Sequence, residues 1–136
     1  MCACPSTART ARRLPSSSRR ILRSVSSATP GLPGDPNHEL ALKYLPNGSC
    51  GVVSFGFTGG RAAAEQFMKN LQLAQIATHV ADARTCCLHP ANATHRQMND
   101  DELAACGIEP DMVRLSCGIE SVEDLLADVE QALERI

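Results

Sequence analysis

The chain has 136 residues, of which 43% are hydrophobic, and this is enough for one domain with a modest core. Only 3% are aromatic, and there is no tryptophan, so the core has to be built mainly from aliphatic side chains. No run approaches the roughly 18 apolar residues that a transmembrane helix needs, which argues against a membrane partner.

The net charge of −2 conceals an uneven distribution. Residues 1–33 hold six of the thirteen basic residues and none of the fifteen acidic ones, so this part carries +6 and the remainder −8. We predict that residues 1–29, rich in arginine and serine, form a disordered leader. Such a composition fits an organellar transit peptide, non-native sequence read from a wrong start, or a basic arm that touches nucleic acid. The last is the least favoured of the three, and we expect no nucleic-acid partner.

Seven cysteines, an odd number without any C-x-x-C pair, do not form a disulfide or zinc framework. We expect reduced thiols packed as small hydrophobic groups in an intracellular protein, with Cys50, Cys106 and Cys117 in apolar surroundings. His89 and His95 lack cysteine partners at ligand spacing, so no metal site is predicted.

After a proline- and glycine-rich linker that starts at Pro30, helical and strand periodicities alternate. The predicted elements are a helix capped by Asn37 and ending at Tyr44, a strand over 51–56, a helix from Gly60 to Leu71, strands over 73–79 and 85–88, a helix from Asn99 to Gly107, a strand around Arg114, and a helix over 122–133. This order predicts an α/β fold (an α+β sandwich): a small, mostly antiparallel sheet with helices on one face. We predict one domain over residues 30–136.

The strand around Arg114 carries the main functional prediction. Because side chains alternate along a strand, Val113 and Leu115 share a face that suits a packed helix layer, while Arg114 and Ser116 share the other. A guanidinium beside a hydroxyl suits a carboxylate or a phosphate. The plain alternative is an edge-strand arginine that extends into water or pairs with an acidic residue. We expect this second face to be open, or covered by something outside the chain.

Three segments in order resemble the C-terminal domain of the Cys/Met-metabolism family of pyridoxal-phosphate enzymes, and within it the O-acetylhomoserine sulfhydrylases. The resemblance covers roughly Pro30 to Ile136. The segments are Pro30-Gly31-Leu32-Pro33 with His38-Glu39-Leu40-Ala41 and Lys43-Tyr44-Leu45-Pro46-Asn47-Gly48; His89-Pro90-Ala91 with Thr94-His95; and Val113-Arg114-Leu115-Ser116 with Gly118-Ile119-Glu120.

The resemblance implies that Arg114 is a substrate-binding residue, which holds the α-carboxylate of an O-acetylhomoserine-like amino acid. It implies that pyridoxal phosphate and the lysine that binds it covalently belong to a large N-terminal catalytic domain, the expected partner in full-length relatives, which also form homo-oligomers. Lys43 and Lys69 lack the family's lysine motif, so we expect no covalent cofactor and no catalytic residue in this chain. His79 and Ala81 depart from the small polar residue and glycine that relatives carry near the substrate.

The chain is therefore expected to be the carboxylate-binding part of a sulfhydrylase-like enzyme of sulfur amino acid biosynthesis, inactive alone. Such a protein is expected in the cytoplasm, or in mitochondria if the leader is a genuine transit peptide. Two alternatives stay open from the sequence: a stand-alone, non-catalytic amino-acid-binding or regulatory module, and a non-functional gene fragment.

Overall fold

The computed structural model describes residues 22–23, 30, 35–48 and 51–136. Its strands are β1 (Leu22–Arg23), β2 (Val52–Phe57), β3 (Gln75–Ile76), β4 (Cys86–Leu88) and β5 (Val113–Ser116). Its helices are α1 (His38–Tyr44), α2 (Gly60–Asn70), α3 (Asp100–Ala105) and α4 (Val122–Leu133), with a 3-10 turn at Pro90–Asn92. No helix in these ranges is long and apolar enough to cross a membrane.

The five strands form one sheet in the order β1-β2-β5-β4-β3. Strand β5 lies between β2 and β4 and is antiparallel to both, β1 is antiparallel to β2, and only β3 and β4 run parallel. Helices α2 and α4 pack on one face of this sheet through their buried residues. The predicted α/β class, with a mostly antiparallel sheet and helices on one face, is confirmed.

The core lies between the sheet and these two helices. Val113 and Leu115 of β5 are completely buried in it, as alternation along the strand predicts. The three phenylalanines of the chain meet in one cluster, with ring centroids 5.2–5.7 Å apart; they are Phe55, Phe57 and Phe67. Edge-to-face and tilted ring contacts of this kind stabilise the β2–α2 contact beyond the area that they bury.

Two of the predicted helix caps are present. The Asn99 side chain accepts the backbone N–H of Glu102 at 3.0 Å, and the Glu102 carboxylate accepts the N–H of Asn99 at 2.8 Å, which completes a capping box for α3. The Ser121 hydroxyl caps α4. The predicted cap of α1 is wrong, because the Asn37 side chain makes no capping bond; instead Asp35 accepts the Asn37 N–H at 2.8 Å.

Strand β3 is much shorter than the predicted strand over 73–79. Its late start is explained by the buried carboxylate of Asp128 on α4, which accepts the backbone N–H groups of residues 72–74 at 2.7–3.0 Å. Since those N–H groups bind a carboxylate, they cannot join a strand ladder, and β3 begins only at Gln75.

The predicted leader lies mostly outside the described residues. Its two described residues, Leu22–Arg23, form β1 and pair with Phe57 and Gly56 at the end of β2. The boundary at residues 29 and 30 stays a prediction, and so does the domain over 30–136.

The thiols divide into buried and exposed groups. Cys86, Cys87 and Cys117 are buried and unpaired, as predicted for small hydrophobic side chains. The prediction for Cys106 is wrong, because this residue directly follows α3 at its solvent-facing end and is exposed. Cys50 lies outside the described residues.

The buried thiols predict a loss of stability at alkaline pH. Burial raises the pKa of Cys117 to about 12, and burial raises the pKa of Cys87 as well. Because an unfolded thiol ionises near pH 9 and a folded one does not, the stabilisation is complete below pH 9 and falls as the pH rises above it. Each thiol then lowers the free energy of unfolding by up to about 1.4 kcal/mol per pH unit.

Urea unfolding at pH 8, 9 and 10 measures this effect. The control is Cys117→Ala, which should show a shallower decline between pH 9 and 10 than the wild type. An identical decline in the two proteins would contradict the assignment to this thiol.

Candidate carboxylate site on the second face of the sheet

Arg114 lies on the sheet face opposite the core. It pairs in register with Ser54 of β2 and Leu88 of β4, and its neighbours on β5, Val113 and Leu115, point into the core. The side chain is half-buried. Arg114 therefore lies on the second face of the sheet, as the alternation of side chains predicts, and its neighbours across the strands are Ser54 and Leu88.

The second face is not open, because the chain's own loop over residues 78–85 covers part of it. At one end of this loop, the Thr78 carbonyl accepts a hydrogen bond from Arg114 Nη2 at 3.0 Å. Further along, the Ala81 N–H donates to the Ser116 hydroxyl at 3.3 Å, and Ser116 is only 4% exposed. The sequence predicted that Ser116 presents its hydroxyl to a ligand beside the Arg114 guanidinium. This prediction is wrong, because the Ser116 hydroxyl oxygen accepts a hydrogen bond from the loop.

The other end of the 78–85 loop is fixed by the residues that follow β5. The Glu120 carboxylate accepts both the backbone N–H and the hydroxyl of Thr85, at 2.6 and 2.8 Å. The Thr85 hydroxyl oxygen also accepts the N–H of Gly118 at 2.9 Å. A Cβ on Gly118 would lie 2.3 Å from the Ala83 carbonyl oxygen, so only glycine lets the loop approach this closely.

Residues 114, 116, 118 and 120 thus all bind the 78–85 loop. The Ile119 N–H also donates to the Ala83 carbonyl at 2.9 Å, so the contacts with the loop continue through consecutive residues where the chain bends after β5. Arg114 was predicted as functional, but the roles of Gly118 and Glu120 were not. What the sequence could not supply was the partner, a loop about 35 residues earlier.

The guanidinium of Arg114 has a hydrogen-bond donor that no described residue accepts. Its Nη2 binds the Thr78 carbonyl, whereas its Nε is buried and has no hydrogen-bond partner within the described residues. The ion pairs seen in the described part of the chain are Arg61–Asp100 and Arg84–Asp82, and neither involves Arg114. A half-buried cation with unpaired N–H groups fits an anionic ligand supplied from outside this domain.

The 78–85 loop has a charged turn and a strained residue. The backbone N–H of Arg84 donates to Asp82 at 2.9 Å and holds the pKa of that carboxyl below its usual value. Ala81 has φ = 58°, in the left-handed region that favours glycine. This is the position at which relatives were expected to carry glycine, so the departure noted in the sequence coincides with backbone strain.

Cys86 on β4 and His89 directly after β4 are titratable side chains close to Arg114, and the buried Nδ1 of His89 has no hydrogen-bond partner within the described residues. Cys86 lies on the same face, but burial raises the pKa of its thiol, which disfavours a reactive thiolate. His89 is buried, and its Nε2 lies 2.8 Å from the Pro110 carbonyl oxygen, which anchors the chain before β5. His95 contacts the Thr94 hydroxyl outside this face.

The two lysines lie on different helices, α1 and α2, and neither is on β5. Lys43 lies on exposed α1 with its Nζ 5.1 Å from the ring centroid of Tyr44, and Lys69 is exposed on α2. Lys69 borders a cavity between α2 and the end of β4, but the described lining of that cavity contains no second lysine and no arginine that could hold a phosphate. The absence of a covalent link between pyridoxal phosphate and these lysines stays a prediction. No cluster of three or more metal-ligating side chains occurs in the described ranges.

A cavity of about 430 Å³ lies next to this face, between α2 and the end of β4. Two of its lining residues adjoin Arg114: Thr78 through the hydrogen bond and Leu88 through the strand register. Its volume is in the range of small-molecule pockets. Its lining includes His89 of the His89-Pro90-Ala91 segment, although no cavity was predicted there from the sequence.

Comparison with known proteins identifies the family. The model of the family described as Cys/Met metabolism PLP-dependent enzyme matches residues 22–134. The chain belongs to this family. The family depends on pyridoxal phosphate, so the predicted cofactor class is confirmed for it, and the matched range covers β1 to α4.

Relatives within the family are much longer than this chain. O-acetyl-L-homoserine sulfhydrylase 1 of Thermus thermophilus is 45% identical over 104 residues, which are 76% of this chain and 25% of that protein. Homocysteine synthase of Schizosaccharomyces pombe is 42% identical over 105 residues, 77% of this chain and 24% of that protein. The chain thus spans about a quarter of the length of these curated relatives.

The fold agrees with a solved structure of this family. A Campylobacter jejuni protein described as an O-acetylhomoserine (thiol)-lyase superposes with a TM-score of 0.85 and 30% identity, over 95% of this chain and 31% of that one. That structure contains a pyridoxyl-lysine phosphate group. The predicted resemblance to sulfhydrylases of this family is confirmed.

Strain at Ala81 predicts that a glycine there stabilises the domain. A left-handed conformation costs an L-residue about 1–2 kcal/mol, and Ala81→Gly removes this cost while keeping the conformation. Part of the gain is offset by the greater entropy of the unfolded glycine chain. We expect a net gain of roughly 0.5–1 kcal/mol in the free energy of unfolding. Urea denaturation measures it, with Ala83→Gly in the same loop as the control that should not stabilise. A destabilised Ala81→Gly protein would contradict the assigned strain.

Close packing at Gly118 predicts the opposite effect for the reverse change. Gly118→Ala places a methyl group against the backbone of Ala83 and Arg84, so the 78–85 loop must move away. We expect a loss of roughly 1–3 kcal/mol in stability and faster amide hydrogen exchange over residues 78–85. Gly107→Ala is the control for exchange in the loop, because its position is open, and its φ of 71°, which Gly118 does not share, makes the change destabilising at a site that does not contact the loop. Equal exchange in the loop for both variants would rule out the close contact.

Proposed function

We propose that this chain is the C-terminal, substrate-carboxylate-binding part of an O-acetylhomoserine sulfhydrylase-like enzyme, and that Arg114 binds the α-carboxylate of the substrate. The observation that carries the proposal is the setting of Arg114. Its guanidinium is half-buried, oriented by the Thr78 carbonyl, and free of any carboxylate partner within the described residues. The family membership supplies the substrate class, since the relatives named above are sulfhydrylases and a homocysteine synthase.

Physical chemistry favours an arginine in this role. The planar guanidinium can donate two parallel hydrogen bonds to a carboxylate, and this pairing fixes orientation as well as charge. A lysine ammonium lacks the forked geometry. The bond to Thr78 holds one edge of the group in place, so binding loses less side-chain entropy than it would with a free arginine.

The proposed division of labour leaves the chemistry to a larger catalytic portion. When bound there, pyridoxal phosphate supplies the electron sink that such reactions need. This chain binds the substrate carboxylate, orients it through Arg114, and covers that end of the site with the 78–85 loop. The proposed overall reaction replaces the acetoxy group of O-acetylhomoserine with sulfide, and the chain alone is inactive.

Kinetics on a hybrid enzyme test the role of Arg114. In the hybrid, residues 22–134 of this chain replace the matching part of the Thermus thermophilus sulfhydrylase. Arg114→Ala should lower kcat/KM by about a hundredfold or more, because a desolvated charge-assisted pair is worth about 2–4 kcal/mol. Arg114→Lys should recover only part of this loss.

Arg96→Ala is the matched control, since it removes an exposed positive charge elsewhere and should leave kcat/KM unchanged. Melting temperatures of all variants separate lost binding from lost folding. If Arg114→Ala keeps normal kcat/KM, or loses activity only by unfolding, the alternative of a surface arginine is correct. If the 136-residue chain alone binds O-acetylhomoserine as tightly as the hybrid does, the stand-alone binding module is favoured.

A further inference from the structure

The 78–85 loop has little apolar packing of its own. Residues 78–81, 83 and 84 are exposed, and Val80 among them is 52% exposed. The left-handed backbone at Ala81, with φ = 58°, opposes the observed course of the loop. A segment with few buried contacts opens at a low cost in free energy, so the polar contacts at its ends determine its position.

One carboxylate makes the main contact at the far end of this loop. Glu120 accepts the Thr85 backbone N–H through one oxygen, at 2.6 Å, and the Thr85 hydroxyl through the other, at 2.8 Å. The Thr85 carbonyl accepts the Gln75 N–H at 2.8 Å. Because Thr85 is completely buried, loss of the Glu120 carboxylate would leave two buried donors without an acceptor.

The near end of the same loop orients Arg114. The Thr78 carbonyl accepts the hydrogen bond from Arg114 Nη2 at 3.0 Å, so the orientation of the guanidinium depends on where the loop lies. Glu120 forms no ion pair with Arg114 in the part of the chain that the structure describes. Any influence of Glu120 on Arg114 therefore passes through the loop.

We propose that Glu120 is a positioning residue for substrate binding: by holding Thr85, it keeps the 78–85 loop on the sheet with the Thr78 carbonyl against Arg114. The inference rests on the proposed function, because it assumes that Arg114 binds the substrate carboxylate. Both carboxylate oxygens of Glu120 are occupied by Thr85, which suits a role in holding the loop.

This role predicts an effect on KM and not on kcat. When only a fraction of the molecules has the binding-competent arrangement, the apparent affinity for a ligand falls by that fraction. Loss of the Glu120 bonds lowers the fraction with an oriented Arg114, whereas the substrate complex, once formed, keeps the same contacts. A residue needed only for folding would lower the melting temperature and leave KM unchanged.

Steady-state kinetics on the hybrid enzyme test the proposal. Glu120→Ala should raise KM for O-acetylhomoserine about tenfold and change kcat less than about twofold. Glu120→Gln should recover part of this loss, because the amide oxygen can still accept the Thr85 N–H. Glu130→Ala is the matched control, since it removes an exposed carboxylate from α4 and should change neither value.

Gly107→Ala is the control for a general loss of stability. Its φ of 71° makes the change destabilising, and the added Cβ meets no group within 4 Å. This variant should have a lower melting temperature and an unchanged KM. If Glu120→Ala behaves in the same way, Glu120 is a structural residue only and the proposal is wrong.

Combination with Arg114→Ala tests whether the effect passes through this arginine. In the Arg114→Ala background, Glu120→Ala should lower kcat/KM less than about twofold, because no guanidinium is left to orient. An undiminished effect in that background would show that Glu120 acts by another route, and the proposal would be overturned.

Amide hydrogen exchange on the 136-residue chain tests the positioning step without the reaction. Glu120→Ala should speed exchange over residues 79–84 about tenfold or more and leave α4 unchanged. Unchanged exchange in the loop would contradict the role of Glu120. If Arg114→Ala alone keeps normal kcat/KM, the proposed function is wrong. If Arg114→Ala lowers kcat/KM and Glu120→Ala leaves KM unchanged, only the role of Glu120 is wrong.

Discussion

The alternation of side chains along β5 connects the core to the candidate site. Val113 and Leu115 are completely buried in the core, while Arg114 and Ser116, together with the residues that follow β5, bind the 78–85 loop. Because β5 has hydrogen-bonded neighbours on both sides, a shift of one residue in its register would reverse both faces at once. The core packing on one face and the loop contacts on the other therefore both fix the register of β5. The orientation of Arg114 depends on the same packing that holds the helices.

The buried carboxylate of Asp128 connects α4 to the chain that precedes β3. Asp128 is 6% exposed, and its oxygens accept three backbone N–H groups ahead of β3. Such an arrangement offsets the cost of burying the charge and ties α4 to the start of β3. The Arg61 guanidinium adds a further connection, since it bonds both Asn92 and Asp100 at the surface. These polar contacts join segments 31 to 56 residues apart, so they act as long-range links and not as local caps.

Local sequence signals were enough for most of the elements. The apolar stripe of α4, the capping box at Asn99 and the alternation around Arg114 all depend on residues within a few positions of each other, and all were predicted. The errors have a common cause. The start of β3 depends on Asp128, and the covering of Ser116 depends on Ala81; both partners are distant in sequence. Cys106 was misplaced because its apolar neighbours in sequence do not surround it in space. The candidate arginine could be named in advance, but the loop that orients it could not.

The intrinsic fluorescence of this protein comes from one tyrosine, which lies on α1. The chain has no tryptophan and a single tyrosine, and its three phenylalanines are all in the core. Excitation above the phenylalanine absorption therefore excites Tyr44 alone, which is 68% exposed on helix α1. Ultraviolet emission from this protein follows the environment of one surface helix, while circular dichroism follows the folding of the rest. Changes around Tyr44 and unfolding of the core can be observed separately in one unlabelled sample.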